Sequence, residues 1–180
     1  MMEHLQPAKY SIYRVPEYVK EKTNRDAYRP RLFSLGPFHY GDSMLLHMEA
    51  HKLRAVVQFV KRSGRPLEEF ISVVEQSFYQ LRNAYENLTE TWHRDEKRFV
   101  ELMVTDGCFF LEVMRMFSLD GKVEEDYGSD DPIFSRHGYL YLRDDIISDM
   151  LLIENQLPLL LLRKLISLAP DPNISQIEVL

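Results

Sequence analysis

Two apolar stripes with steps of three and four residues constrain this 180-residue chain more than any other feature. Leu67, Phe70, Ile71, Val74, Phe78, Leu81, Tyr85 and Leu88 form the first; Phe99, Leu102, Met103, Phe110, Val113, Met114 and Phe117 form the second. That spacing gathers side chains on one face of an α-helix, and a face so apolar has to be covered by another element. Helices are therefore expected over residues 67–88 and from about Asp95 to Phe117. Upstream, Asp42-Ser43 reads as the cap of a helix over 44–62 that stops at Ser63-Gly64-Arg65-Pro66. Downstream, a helix over 140–154 is apolar nearly all round from Ile146 to Ile153 and is expected to be buried. Asn155-Gln156 then turns a corner, and Pro158 opens a fifth helix running to about Leu168.

The rest of the chain lacks this period. Residues 9–42 hold Pro16, Pro30, Pro37, Gly36 and Gly41 and read as an irregular arm. One short strand is expected there, at Arg31-Leu32-Phe33-Ser34-Leu35. Residues 120–138, with Glu124-Glu125-Asp126 and Gly128-Ser129-Asp130-Asp131-Pro132, read as a solvated loop. The expected fold is mainly α: a bundle of about five helices behind an irregular N-terminal arm. Its expected organisation is a disordered stretch over 1–11, a single helical domain over 12–168 and a loose tail over 169–180.

Composition narrows the function classes. Lys and Arg number 22 against 28 Asp and Glu, and a net charge of −6 argues against a dedicated nucleic-acid binder. The charge is uneven: residues 1–66 carry a surplus of six positive charges, while residues 67–180 carry an excess of twelve negative ones. Either the two halves pack and neutralise each other, or Arg14, Lys20, Lys22, Arg25, Arg29 and Arg31 present a basic face to an anionic membrane or partner. No run reaches the ~18 apolar residues of a spanning helix, and nothing at the start reads as a signal peptide, so the chain itself reads as soluble. Cys108 is the single cysteine; apolar neighbours and the lack of an adjacent His make it an inert thiol.

Asp106 is the most informative polar residue, because it falls on the apolar stripe of its own helix. A buried carboxylate must be paired or hydrogen-bonded. The favoured reading is a clasp, in which Asp106 accepts from backbone amides or from a basic group of the arm such as Arg14, with Gly107 allowing close approach. The competing reading is a catalytic or metal-binding carboxylate. His47 and His51 stand four apart on a predicted helix, with His39 upstream, and two imidazoles on one face suit zinc. The Glu of the set, Glu49, lies between them rather than directly after the first His, unlike a zincin. The alternative has Glu49 and His51 hydrogen-bonding the arm. Glu154-Asn155-Gln156 either satisfies helix-terminal amides and carbonyls or contacts a ligand. Tyr28, Phe33, Phe38 and Tyr40 either pin the arm or form an exposed aromatic patch. No complete catalytic set and no cofactor motif is present.

Six separated blocks carry a resemblance: Ile12-Tyr13-Arg14-Val15-Pro16; Tyr28-Arg29-Pro30 leading into Ser34-Leu35-Gly36-Pro37-Phe38-His39-Tyr40-Gly41; Met48-Glu49-Ala50-His51-Lys52; Asp106-Gly107-Cys108-Phe109-Phe110-Leu111-Glu112; Asp131-Pro132-Ile133-Phe134; and Asp149 through Glu154-Asn155-Gln156-Leu157-Pro158. In order and spacing, over roughly residues 12–165, the chain resembles the N-terminal part of the plant domain of unknown function 247 family, also called uncharacterised protein family 0481. The resemblance implies a longer protein with a membrane segment near its C-terminus, and so a plasma-membrane location; this chain lacks such a segment and reads as a truncated member. It also implies an unidentified protein partner and a recognition role, since some grass members are associated with pollen–stigma self-incompatibility. It supplies no catalytic residues. The competing function is a metal-dependent enzyme using His39, His47, His51 and Asp106. That reading requires near-stoichiometric zinc in the purified protein, and metal analysis below about 0.1 equivalent per chain would end it.

Overall fold

The computed structural model describes residues 10–174. Among them lie nine α-helices and no strand: α1 Glu17–Lys22, α2 Glu49–Ser63, α3 Leu67–Glu75, α4 Phe78–Asn83, α5 Glu90–Arg94, α6 Glu96–Ser118, α7 Glu124–Tyr127, α8 Arg136–Met150 and α9 Leu159–Leu168. The fold is mainly α. The five expected helices correspond to α2, the α3–α4 pair, α6, α8 and α9; the short α1, α5 and α7 are additional.

The second apolar stripe forms the central element. Asp95 caps α6 by accepting the Arg98 amide at 3.0 Å, and Glu96 sits favourably in the first turn of the helix. Over its 23 residues, α6 packs against α2, α3, α4, α5 and α9. Its first half joins Phe70, Val74, Phe78, Leu81, Trp92, Leu161 and Leu165 in one apolar cluster. Its second half, through Phe109, Val113 and Met116, joins Phe33 and Leu35 of the arm, Ala55 of α2, and Phe134 and Ile146 in another. Asp106 lies on α6 where the two clusters meet.

Several expectations are corrected. The helix expected over 67–88 breaks at Gln76-Ser77 and ends at Asn83. The end at Asn83 has its reason upstream: the Ser11 and Ile12 amides both donate to the Ala84 carbonyl, and the Glu86 amide donates to the Ile12 carbonyl. This isolated parallel bridge, Ile12 to Tyr85, takes backbone groups that a continuing helix would need. Residues 31–35 form no strand, because their amides bond to side chains instead of to a neighbouring strand. The helix expected from 44 opens with a 3-10 turn, Leu46–Met48, and becomes α-helical only at Glu49. Residues 120–138 are not a solvated loop: they contain α7, and Val123, Ile133 and Phe134 are buried. α8 starts at Arg136, where the Ser135 hydroxyl accepts the Gly138 amide, and ends at Met150. Beyond it Leu151 and Ile153 are 74% and 56% exposed, not buried as their composition suggested. In the described part of the expected loose tail Ala169 and Ile174 are buried, while Pro170, Pro172 and Asn173 are exposed. Of the stretch expected to be disordered, 1–9 lies outside the described residues. No helix among the described residues is long and apolar enough to cross a membrane.

Two helical glycines differ in what surrounds them. A Cβ on Gly138 would lie 2.4 Å from the Ile133 carbonyl oxygen and 2.7 Å from that of Pro132, both backbone atoms. On Gly107 it would meet the flexible ends of Leu165 and Leu161, the nearest at 2.5 Å. Gly107→Ala should therefore cost about 1–3 kcal/mol, and Gly138→Ala clearly more, because backbone cannot yield as a leucine tip can. Urea unfolding of the two variants checks the order.

Candidate functional site

The polar residues singled out in the sequence converge on a buried seam that fastens the arm to the helices. Asp106 is fully buried. Its Oδ1 accepts from Lys52 Nζ of α2 at 2.7 Å, and its Oδ2 accepts the Gly36 amide at 2.8 Å. The same ammonium donates to the Ser34 carbonyl at 2.6 Å and pairs with Glu49 Oε1 at 2.9 Å. One ion pair thus grips both sides of the 34–36 turn. Gly36 has φ +72°, and a Cβ there would sit 2.7 Å from the Tyr85 hydroxyl, so the turn admits no side chain. Tyr85 in turn donates to the Gln156 carbonyl at 2.9 Å.

Burial pushes the Asp106 carboxyl above its ordinary range, against the pull of Lys52 and of the Gly36 amide. Burial by itself lowers Lys52, but Asp106 and Glu49 outweigh it and hold the ammonium above its usual value. Lys52 therefore keeps its proton throughout the physiological range. Linkage places the stability it contributes below pH about 10.5, to be lost as pH rises through the folded-state value.

The corner after α8 holds the rest of the arm. Asp149 accepts three consecutive amides: Arg31 on Oδ1 at 2.9 Å, and Leu32 and Phe33 on Oδ2 at 2.7 and 3.1 Å. Asn155 accepts the Leu35 amide at 2.6 Å and donates to the carbonyls of Phe33 and Asp149, both at 3.1 Å. Glu154 accepts the Val15 amide at 2.7 Å and Lys20 Nζ at 3.0 Å. Gln156 turns back on its own corner, donating to the carbonyls of Met150, at the end of α8, and Leu152, just beyond it.

The remaining candidates are scattered. Arg14 is not the partner of Asp106: its amide donates to Glu86 and its guanidinium lies 4.1 Å over the Phe38 ring. Glu49 and His51 do not bond to the arm; Glu49 pairs with Lys52, and His51 Nδ1 lies 2.6 Å from Arg54 Nη1. His47 is exposed against the Met44 carbonyl, while His39 is half-buried and faces Glu154. The three imidazoles and Asp106 thus face separate groups, and no group of three or more His, Cys, Asp or Glu among the described residues could hold a metal ion. The basic face is largely occupied too, with Lys20 on Glu154, Arg25 on Glu17 and Glu21, and Arg29 on Asp42. Of the aromatics, Phe33 packs edge-on to Phe109, Phe38 to Tyr85 and Tyr40 to Trp92, so these three pin the arm.

Two residues escaped the sequence reading. Lys52 lies on the buried stripe of α2 with Met48, Ala55 and Phe59, the same signal that exposed Asp106; matching the two charges would have found the pair. Glu112, between buried Leu111 and Val113, binds Arg62 and the Tyr127 hydroxyl. Around it Arg62 and Arg115 reach Asp126 and Asp171, closing a second ion network that ties α2, α6, α7 and the residues after α9.

An all-helical domain whose irregular arm is held by buried carboxylates and an amide matches a plant class without an assigned activity. Residues 12–179 match the domain of unknown function 247 family, described as a plant protein of unknown function. The chain is 36% identical over 157 residues to the UPF0481 protein At3g47200 of Arabidopsis thaliana, covering 86% of this chain and 30% of that one. It is 28% identical over 167 residues to the putative UPF0481 protein At3g02645 of the same plant, covering 90% and 28%. The chain belongs to this family, and it spans less than a third of the length of the curated relatives it matches. No solved structure matches it.

Removing one member of the Lys52–Asp106 pair leaves the other charge buried and alone. Asp106→Ala and Lys52→Met should each cost about 3–5 kcal/mol, whereas Lys52→Met combined with Asp106→Leu should cost much less than the sum. A double-mutant cycle by urea denaturation checks this; strict additivity would mean the two groups do not interact.

Proposed function

We propose that this chain is a non-enzymatic interaction module of a plant membrane-associated protein, acting in recognition between cells or at the cell surface. One observation carries the reading: a groove of about 440 Å³ lies where the arm meets the α8–α9 corner, bounded by Tyr13, Leu151, Ile153 and Leu159. These four are 42%, 74%, 56% and 50% exposed. Apolar side chains left this open around a single groove mark a surface that another molecule covers. The buried carboxylates support the same reading, because Asp149, Glu154 and Asp106 are engaged by amides and ammonium groups of the chain itself. The association of some grass members of the family with pollen–stigma self-incompatibility adds to it.

The test is an affinity pull-down from plant membrane and soluble fractions, run with the wild-type chain and with Leu151→Asp/Ile153→Asp. Both positions are exposed, so the variant should melt within a degree or two of wild type. The expected result is a protein retained by wild type at physiological salt and lost by the variant. Retention unaffected by the two aspartates, or no specific retention, would contradict the reading.

A further inference from the structure

We propose that a polar pocket between the start of the arm and the α4–α5 connection binds a small hydroxylated anion, with Arg82 holding the anionic group. The pocket measures about 440 Å³, within the ordinary range of small-molecule sites, and Tyr10, Arg82, Asn83, Asn87 and His93 line it. It shares no lining residue with the groove at the α8–α9 corner and does not rest on that groove's proposed role.

The walls come from segments that backbone bonds hold together. Arg82 and Asn83 close α4, and His93 lies in the last turn of α5. The Ser11 and Ile12 amides on the Ala84 carbonyl, and the Glu86 amide on the Ile12 carbonyl, fix the arm beside Tyr10 against the connection. The end of α4 is occupied as well. Its Leu81 and Arg82 carbonyls accept the Ala84 and Tyr85 amides, so these carbonyls are not left to repel an anion. Asn87 is exposed and turns the connection at φ +51°, a left-handed conformation that asparagine tolerates.

Charge decides which kind of ligand fits. Among the described residues no Asp or Glu lines the pocket, although the chain carries 28 of them against 22 Lys and Arg. Arg54 and Arg62, which line two other cavities, are paired with Asp131 and Glu112. Arg82 has no carboxylate partner among the described residues; Asn83 Oδ1 accepts from its Nε at 3.4 Å and its Nη2 at 3.3 Å. The guanidinium carbon also lies 5.4 Å from the ring centroids of both Phe78 and Tyr79, which hold the group in place. Two of the five guanidinium N–H groups are thus used. Those left on Nη1 and Nη2 suit the paired geometry in which arginine meets a carboxylate or a phosphate. The carboxamides of Asn83 and Asn87 and the His93 ring supply donors and acceptors for hydroxyls, and the Tyr10 ring offers an apolar face to the carbons of a sugar. Acidic sugars and sugar phosphates share this chemistry.

Titration of the isotope-labelled chain with glucuronate, glucose-6-phosphate and glucose, followed by NMR, tests the assignment and separates the two sources. One or both anions should bind saturably, about tenfold or more tighter than glucose, and shift the amides of residues 82–93. Arg82→Gln should weaken that binding by about tenfold or more. Arg94→Gln, which removes a paired arginine outside the pocket, should leave it unchanged. No saturable change with either anion up to about 10 mM, an equal response to glucose, or full binding by Arg82→Gln would overturn the proposal. Should Arg82→Gln fail to fold, the wild-type map decides. Shifts centred on residues 82–93 support the pocket, and shifts centred elsewhere overturn it.

Discussion

The arrangement of the whole chain turns on one buried ion pair, Lys52 with Asp106. Each charge sits on the apolar face of its own helix, so neither α2 nor α6 could pack as it does without the other. Desolvating two charges is costly, and their attraction in the interior offsets this only if the remaining donors and acceptors are satisfied. Here they are satisfied by the arm: the Ser34 carbonyl on the ammonium and the Gly36 amide on the carboxylate. The consequence is specificity more than net stability, because an irregular segment with no ladder of its own is given one place to bind. From that point Phe33 and Leu35 enter the second apolar cluster, and Phe38 and Tyr40 reach Tyr85 and Trp92 in the first.

Asp149, Glu154 and Asn155 extend the same principle. A segment rich in Pro and Gly cannot satisfy its own amides through a helix or sheet, and burying them unpaired would be costly. Side chains at one corner supply acceptors instead, to the amides of residues 15, 31, 32, 33 and 35. Three of the matching blocks, 12–16, 28–41 and 149–158, are the two sides of this contact. The arm in turn forms one wall of the groove through Ser11, Ile12 and Tyr13, so the same segment takes part in the polar seam and in the apolar surface.

What could be read from the sequence follows from what repeats locally. The stripe from Phe99 to Phe117 and the cap at Asp95 are local signals, and α6 forms where they place it. The role of Asp106 was half legible: a charge on a buried stripe demands a partner, but periodicity within one helix cannot say which. Lys52 carried the same signal and was overlooked because lysine is so seldom buried. The break at Gln76-Ser77 was illegible, since Phe78, Leu81 and Tyr85 continue the apolar spacing through it, and so was the end at Asn83, which depends on the pairing of Ile12 with Tyr85. The strand expected at 31–35 failed for the same reason: its pattern suits an extended backbone, but its amides bond to Asp149, more than a hundred residues away. Leu151 and Ile153 were misjudged because an apolar face is buried only if something is there to cover it.

The central claim is that distant side chains, and not local structure, hold the arm in place. Tryptic cleavage at the Arg31–Leu32 bond tests it most directly, because the amides on both sides of that bond lie on Asp149. In native protein this bond should resist cleavage while the exposed Lys122 is cut, and in Asp149→Ala, with folding verified, its cleavage should rise by about tenfold or more with Lys122 unchanged. Equal rates at Arg31 in the two proteins would show that the arm holds itself.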